Sequence, residues 1–314
     1  MLGVRRVTVV GVVLALAGVG CTSEGPPEDP SSARGRVQQL VRALVEVDAD
    51  GLRDLVSDDS LDLSAELLVD DVVAQGALAR RDVTIDADTS NLGYVAYELD
   101  TDPSTAGPQP WLDVEVRSSG ELIGSVLPTV EVSGRGITAL RVGDVEVPVA
   151  PLPPEGRTYY LPPGVLTVAA VGPDGLVEHG DGERIDTRDR ASLSLGGELT
   201  AAGEAQVRRV AAAFVRRCTR PVQGDRPVRC PARKAFVGGL ESSAWTLDAP
   251  VRVSTEEGST GWTVRTDDPP AARMTGQYLD RERGVLVPVT DRVRFRVEGT
   301  VEARGDRLVV EVRG

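Results

Sequence analysis

The chain has 314 residues, enough for two or three domains, with a formal net charge of −13 and a pI of about 4.7. Hydrophobic residues make up 41%, too many for a largely disordered chain; aromatics are only 4%, so the cores have to be built from Val, Leu and Ala. The acidic balance argues against a general nucleic-acid binder, because like charge repels phosphate.

The opening stretch, MLGVRRVTVVGVVLALAGVGCTS, places Arg5 and Arg6 before an apolar run from Val7 to Val19 and then leads through small residues into Cys21. A basic segment followed by a short apolar one is the pattern of an export signal. The run falls short of the roughly 20 apolar residues a membrane span needs. The approach to Cys21 resembles the lipobox of bacterial lipoproteins, although Gly18 stands where those signals carry Leu. That resemblance implies a signal peptide over 1–20, a lipid on Cys21 and attachment to the extracytoplasmic face of the cell membrane. A plain signal peptide or a short membrane anchor is the competing reading. Cleavage before Cys21 removes two arginines and no acid, so the mature body is more acidic still. A body of that charge near an anionic surface makes the membrane an anchor site rather than a ligand. The basic residues are almost all Arg, with Lys234 the one lysine; with abundant Ala, Val and Gly, this resembles proteins of GC-rich actinobacterial genomes.

Residues 22–32, TSEGPPEDPSS, hold Pro, Ser, Gly and acids and no apolar residue, so 21–32 reads as a flexible linker. Ser31 or Ser32 is placed to cap the helix that follows, where Val37, Leu40, Val41, Leu44 and Val45 recur at helical spacing. Asp50-Gly51 breaks the pattern. A short helix, GLRDLVSDD, and a third, SAELLVDDVVAQGAL, come next. RDVTIDAD, GYVAYELD, WLDVEVRS and ELIGSVLPTVEV then read as strands. Helices followed by strands imply an α+β unit over 33–131, with helices on one face of a curved antiparallel sheet. The run ALVEVDADGLRDLVSDD, with its paired Leu52 and Leu55, resembles the opening of NTF2-like, cone-shaped α+β domains. Some members of that family are enzymes that hold an acid or a His-Asp pair inside the cone. Tyr94 and Tyr97 alternate through GYVAYELD and would sit near the cone mouth.

Residues 132–196 contain strand patterns and no helix, and resemble the small PEGA-like β-sandwich of bacterial surface proteins. In LPPGVLTV, Pro163 and Gly164 suit the two central positions of a type II turn. His179, the one histidine, reads as a solvated residue in a hairpin over VEHGDGERID. Residues 197–314 return to a helix and then strands, a second α+β unit in which Thr200 caps a helix to about Cys218. In RVRFRVEG, Val293, Phe295 and Val297 alternate with arginines, so one face is buried. The fold class is therefore α+β, two helix-plus-curved-sheet units separated by a small β-sandwich. The order of units resembles a set of actinobacterial envelope lipoproteins without an established activity.

Chemistry is scarce. One histidine and no GxSxG leave no basis for a Ser-His-Asp site. Asp48, Asp50, Asp54, Asp58 and Asp59 lie close together, but Leu52 occupies the fifth position of a calcium loop and Gly51 the fourth, so no metal site is assigned. Asp70-Asp71 and Asp267-Asp268 are bare surface pairs. No phosphate loop occurs, and no cofactor is expected. The remaining motif is RRCTRPVQGDRPVRCP. Two cysteines without a nearby His fall short of a zinc site, and no CxxC is present. In an exported chain, Cys218 and Cys230 pair as a disulfide worth roughly 3 kcal/mol. Arg216, Arg217, Arg220, Arg226, Arg229, Arg233 and Lys234 form a candidate binding patch for an envelope protein or an anionic wall polymer, although the helix dipole already accounts for Arg216 and Arg217. The leading reading is a lipid-anchored, non-enzymatic envelope protein with a binding or scaffolding role and no nucleic-acid partner. The alternative is a carrier or enzyme for a small apolar ligand in the first cone.

Overall fold

The computed structural model describes residues 32–57, 63–89, 94–101, 111–117, 122–123, 126–220, 222–223 and 240–313. The fold is mixed α+β, dominated by strands in several small open sheets with few helices.

The first unit starts with α1 (Ala33–Glu46), α2 (Ala49–Ser57) and α3 (Asp70–Val73). The Ser32 hydroxyl accepts the Gly35 N–H at 3.1 Å and caps α1. The break after α1 falls at Val47, which is left-handed (φ +62°), rather than at Asp50-Gly51; Asp48 then caps α2 by accepting the Gly51 N–H at 2.9 Å. An antiparallel meander follows: β1 (Thr84–Thr89), β2 (Tyr94–Asp100), β3 (Leu112–Arg117) and β4 (Leu122–Ile123). Leu112, Val114 and Val116 are buried and Asp113, Glu115 and Arg117 exposed, the alternation a half-buried strand requires. Those residues, with Tyr97 and Leu99, meet Leu40, Leu44, Leu52 and Leu55 of α1 and α2. Each fully buried Leu or Val there contributes about 1.5–3 kcal/mol.

The expected helix over 64–78 forms only as the single turn of α3. Its apolar residues come in adjacent pairs that part company. Leu68 and Val73 enter the first core, whereas Leu67 and Val72 enter the next one. One helical stripe cannot serve two cores on opposite sides, so tertiary pairing overrides propensity. Ser64 instead acts as a one-residue strand, donating its N–H to Thr158 O at 2.9 Å and accepting from Tyr160 N–H at 3.0 Å.

The second unit comprises β5 (Thr129–Ser133), β6 (Ala139–Val142), β7 (Val145–Pro148), β8 (Arg157–Tyr160), β9 (Val165–Val171), β10 (Val177–Glu178), β11 (Glu183–Asp186), β12 (Ala191–Ser194) and β13 (Glu198–Leu199). One sheet runs β12-β5-β8, with β12 parallel to β5; the other runs β11-β9-β6-β7. Val130, Val132, Tyr159 and Leu193 of the first share a core with Leu140, Val142, Leu166, Val168 and Ile185 of the second. β5 straddles the expected boundary at 131/132 and pairs within this unit. Gly164 has φ +155°, well away from the type II value, and the segment is a clamp rather than that turn. Its N–H donates to the Thr187 hydroxyl at 2.7 Å and its carbonyl accepts the Thr187 N–H at 2.9 Å. The Arg188 guanidinium lies 4.3 Å over the Trp111 ring, tying the first sheet to this unit.

The third unit opens with α4 (Ala201–Thr219), capped by Thr200. Then come β14 (Val222–Gln223), β15 (Leu240–Leu247), β16 (Val253–Glu257), β17 (Trp262–Thr266), β18 (Ala271–Asp280), β19 (Val285–Arg294), β20 (Glu298–Arg304) and β21 (Arg307–Arg313). Instead of one curved sheet there are two, β14-β15-β18-β19 and β16-β17-β20-β21. The chain crosses between them at Phe295–Val297, where Phe295 and Val297 are fully buried and Arg294 and Arg296 remain exposed. Ala211, Phe214 and Cys218 of α4 pack on Trp245, Met274 and Phe295; one turn or more earlier, Val207 packs with Trp262, Val264 and Val301.

Among the described residues β19 ends its sheet and pairs only with β18. Such an edge invites pairing with other chains, and two devices guard it. Pro288 removes a backbone donor at mid-strand. Asp291 points inward, 7% exposed, and its Oδ1 accepts the Arg292 N–H at 2.9 Å while Oδ2 has no partner.

Two outcomes follow from this packing. Leu67→Ala and Leu68→Ala each cost about 2–5 kcal/mol and lower one common unfolding transition in calorimetry, because one segment feeds both cores; two independently shifted transitions would contradict the shared segment. Asp291→Val raises the melting temperature and introduces concentration-dependent association in sedimentation velocity.

Candidate functional site

Of the residues singled out in the sequence, Cys21, Cys230, Arg226, Arg229, Arg233 and Lys234 lie outside the described residues, as do Asp58 and Asp59. Arg216, Arg217 and Arg220 come together at the exposed C-terminal end of α4, where the helix dipole favours them. The Arg217 guanidinium sits 5.5 Å from the Phe214 ring centre. Cys218 is buried on the core side of the same turn. Asp50 pairs with Arg53, and Asp48 is spent on capping α2. Asp70 is not a bare surface acid: its Oδ1 accepts the Ala49 N–H at 3.0 Å and anchors the start of α2. Asp268 pairs with Arg294 at 3.9 Å, both side chains largely exposed. Tyr97 is buried in the core that the first sheet shares with the first two helices.

A groove not singled out in the sequence crosses three strands of the second sheet of the third unit. It encloses about 570 Å³ and is lined by three consecutive residues from each of β17, β20 and β21. The register explains its shape. Arg265 faces Glu298, and Glu298 faces Arg313; Thr263 faces Thr300, and Thr300 faces Glu311. Strand alternation sends these two rows to solvent, while Val264 is buried on the opposite face. The rows form walls roughly 7 Å apart, two residues along each strand, and the groove spans about 10 Å across three strands. Backbone of Val264, Gly299 and Val312 forms the floor.

One wall is therefore guanidinium, carboxylate, guanidinium; the other is two hydroxyls and a carboxylate. Arg265 already donates to the Glu256 carboxylate at 2.9 and 3.3 Å. Arg313 and Glu298 stand opposite each other in register, yet among the described residues neither forms an ion pair. The groove can donate and accept hydrogen bonds along its length and offers no aromatic platform, which suits a polar chain carrying charges of both signs. Gly299 permits the close approach of β21, because a Cβ there would meet the Glu311 carbonyl oxygen at 2.1 Å. Each contributing triplet, TVR, EGT and EVR, reads alone only as amphipathic strand. The register that assembles them depends on long-range pairing.

His179 is not in a solvated hairpin. β10 pairs with β13 and β11 with β9, so His179–Gly182 carries the chain from one sheet to another. Its Nε2 lies 3.2 Å from the Gly136 carbonyl, and Nδ1 is buried without a partner. Burial pulls its pKa below the ordinary histidine value, and the Gly136 carbonyl only partly opposes this. A cavity of about 260 Å³ beside it is lined also by Asp181, Glu183 and Ser194. The imidazole hydrogen-bonds a backbone carbonyl and no hydroxyl, so it is not set up as a base for Ser194. Elsewhere, burial and then the Glu66 carboxylate push the Tyr159 phenol up to about 12, and the Arg188 hydrogen bonds hold Asp186 below the usual carboxylate value.

Gly299→Ala pushes β21 off β20, costs about 1–3 kcal/mol in urea denaturation and raises amide exchange along β21 selectively; unaltered exchange there would show that the close approach is not needed. No protein-family model, curated protein or solved structure matches this chain.

Proposed function

We propose that the chain is a lipid-anchored protein of the extracytoplasmic cell envelope that acts by binding rather than turnover. In this reading Cys21 carries the lipid, residues 21–32 are the tether, and the body begins at the Ser32 cap. The units at 33–131 and 197–314 are NTF2-like units of helix and curved sheet, and 132–196 is a PEGA-like spacer; the two separate sheets of the third unit are its main departure. A Cys218–Cys230 disulfide closes the arginine-rich loop. It is supported by the buried position of Cys218 at the end of α4.

The observation that carries the binding reading is the groove, above all the opposed but unpaired Arg313 and Glu298. Opposite charges placed face to face on a sheet ordinarily gain by pairing. Leaving both heads open to a groove suits a partner with charges of both signs, an envelope protein segment better than a purely anionic wall polymer. Packing of Tyr97, Leu99, Val114 and Val116 against α1 and α2 speaks against an apolar ligand in the first unit.

A photo-crosslinking residue at Thr300 is expected to trap a defined envelope component in intact cells, and one at exposed Glu155 of the second unit is not. Arg265→Glu with Arg313→Glu should lower the Thr300 adduct by roughly tenfold or more, the scale of losing one hydrogen-bonded charge contact; an undiminished adduct removes the groove from the account. Cys21→Ser should abolish incorporation of a labelled fatty acid and release the protein from the membrane fraction; retention of both overturns the anchor.

A further inference from the structure

The second and third units meet along a seam made by a few residues. Trp262, the first residue of β17, joins Val177 of β10 in one small core. Its ring presses on Gly136, where a Cβ would lie 2.7 Å away. Arg135, beside that glycine, donates from Nε to the Gly197 carbonyl at 3.1 Å and pairs with Glu257 of β16 at 2.5 Å. Behind Gly136 stands the His179 ring. Gly172 and Gly197 make room for it, since a Cβ at either would lie within 2.8 Å of a ring atom. The ring is thus a wedge holding the Gly136 loop against Trp262.

We propose that His179 is an acid-sensitive latch: neutral, it holds the seam closed through Gly136; protonated, it releases the third unit from the second. The geometry sets the direction. The neutral ring donates one N–H, from Nε2 to the Gly136 carbonyl, and leaves Nδ1 as a buried acceptor. The protonated ring carries a second N–H at Nδ1, where none of the described residues supplies an acceptor, so the closed seam strands a buried charged donor. The charged groups around it do not relieve this. They are Asp181 and Glu183 on the following loop and β11, Glu178 on β10, Glu198 on β13, and Arg135 and Glu257 across the seam. Among the described residues none forms an ion pair with the ring, and Arg135 and Glu257 are spent on each other.

Because the closed state disfavours the proton, the open state binds it more tightly, and opening gains as pH falls below the ordinary histidine value of about 6.5. One proton per opening limits the gain to about tenfold in the opening constant per pH unit. Trp262 begins the strand that presents Thr263 and Arg265, so the latch also governs how the groove is held. That consequence rests on the binding reading; the latch does not.

The test is amide hydrogen exchange on the intact chain from pH 7.5 to 5, corrected for intrinsic rates. Exchange at Thr138, Val177 and Trp262 is expected to rise toward tenfold per unit below pH 6.5, while β6 and β9 stay unchanged. His179→Gln keeps a donor for Gly136 but cannot titrate, and should flatten the seam response. A flat wild-type seam, or an equal response in His179→Gln, overturns the latch. Should that variant fold poorly, the wild-type imidazole titration by NMR decides: a midpoint below 6.5 supports the latch, and one at or above it sinks it. None of these readouts needs a ligand, so they fail independently of the crosslinking at Thr300.

Discussion

The contact of the Trp262 ring with the Gly136 backbone organises the half of this molecule that carries the groove. On one side the indole fills a core with Val177, Val264 and Val301, which fixes β17 at its first residue. On the other it backs the loop that receives His179. With only 4% aromatic residues, the chain has few side chains large enough to fill two such environments at once. The groove inherits its geometry from this anchoring, because Thr263 and Arg265 follow directly on the same strand and the pairing with β20 and β21 then places the remaining wall residues.

The two junctions of the chain are built differently. Between the first and second units the backbone itself is shared: Ser64 bonds into β8, adjacent leucines enter different cores, and the Gln75 amide donates to the Val142 carbonyl at 3.0 Å. Such a junction opens only if both cores are disrupted. Between the second and third units the described residues share one small core, the Arg135–Glu257 ion pair and the bonds from the Thr200 cap to the Gly175 and Leu176 carbonyls, with the His179 ring backing the Gly136 loop on the second unit's side. Local opening concentrates where few apolar contacts hold a boundary, which is why the latch proposed at His179 acts at the second junction.

What could be read from the sequence follows how local each feature is. The caps at Ser32 and Thr200, the helix of α4 and the strand of β3 are set by residues a few positions apart, and they appear as expected. The 64–78 segment misleads because its apolar pairs satisfy helical spacing while serving two cores. His179 looked solvated because Gly136 and Gly197, which enclose it, are distant in sequence. The groove stayed hidden for the same reason: Arg265, Glu298 and Arg313 mean nothing together until a register aligns them. The arginine cluster was conspicuous because it is contiguous, and α4 alone accounts for its first members.

The guarded edge of β19 acquires a different meaning if the chain is tethered to a surface, as proposed above. Tethered chains move in two dimensions, where a modest copy number produces an encounter frequency that the same chains in free solution would reach only at high concentration. Edge-to-edge pairing would then spread from chain to chain as a continuous ribbon. On such a proposed tether, a ring without an N–H at position 288 and a carboxylate turned inward at 291 would make each encounter unproductive and keep crowded molecules a population of individuals.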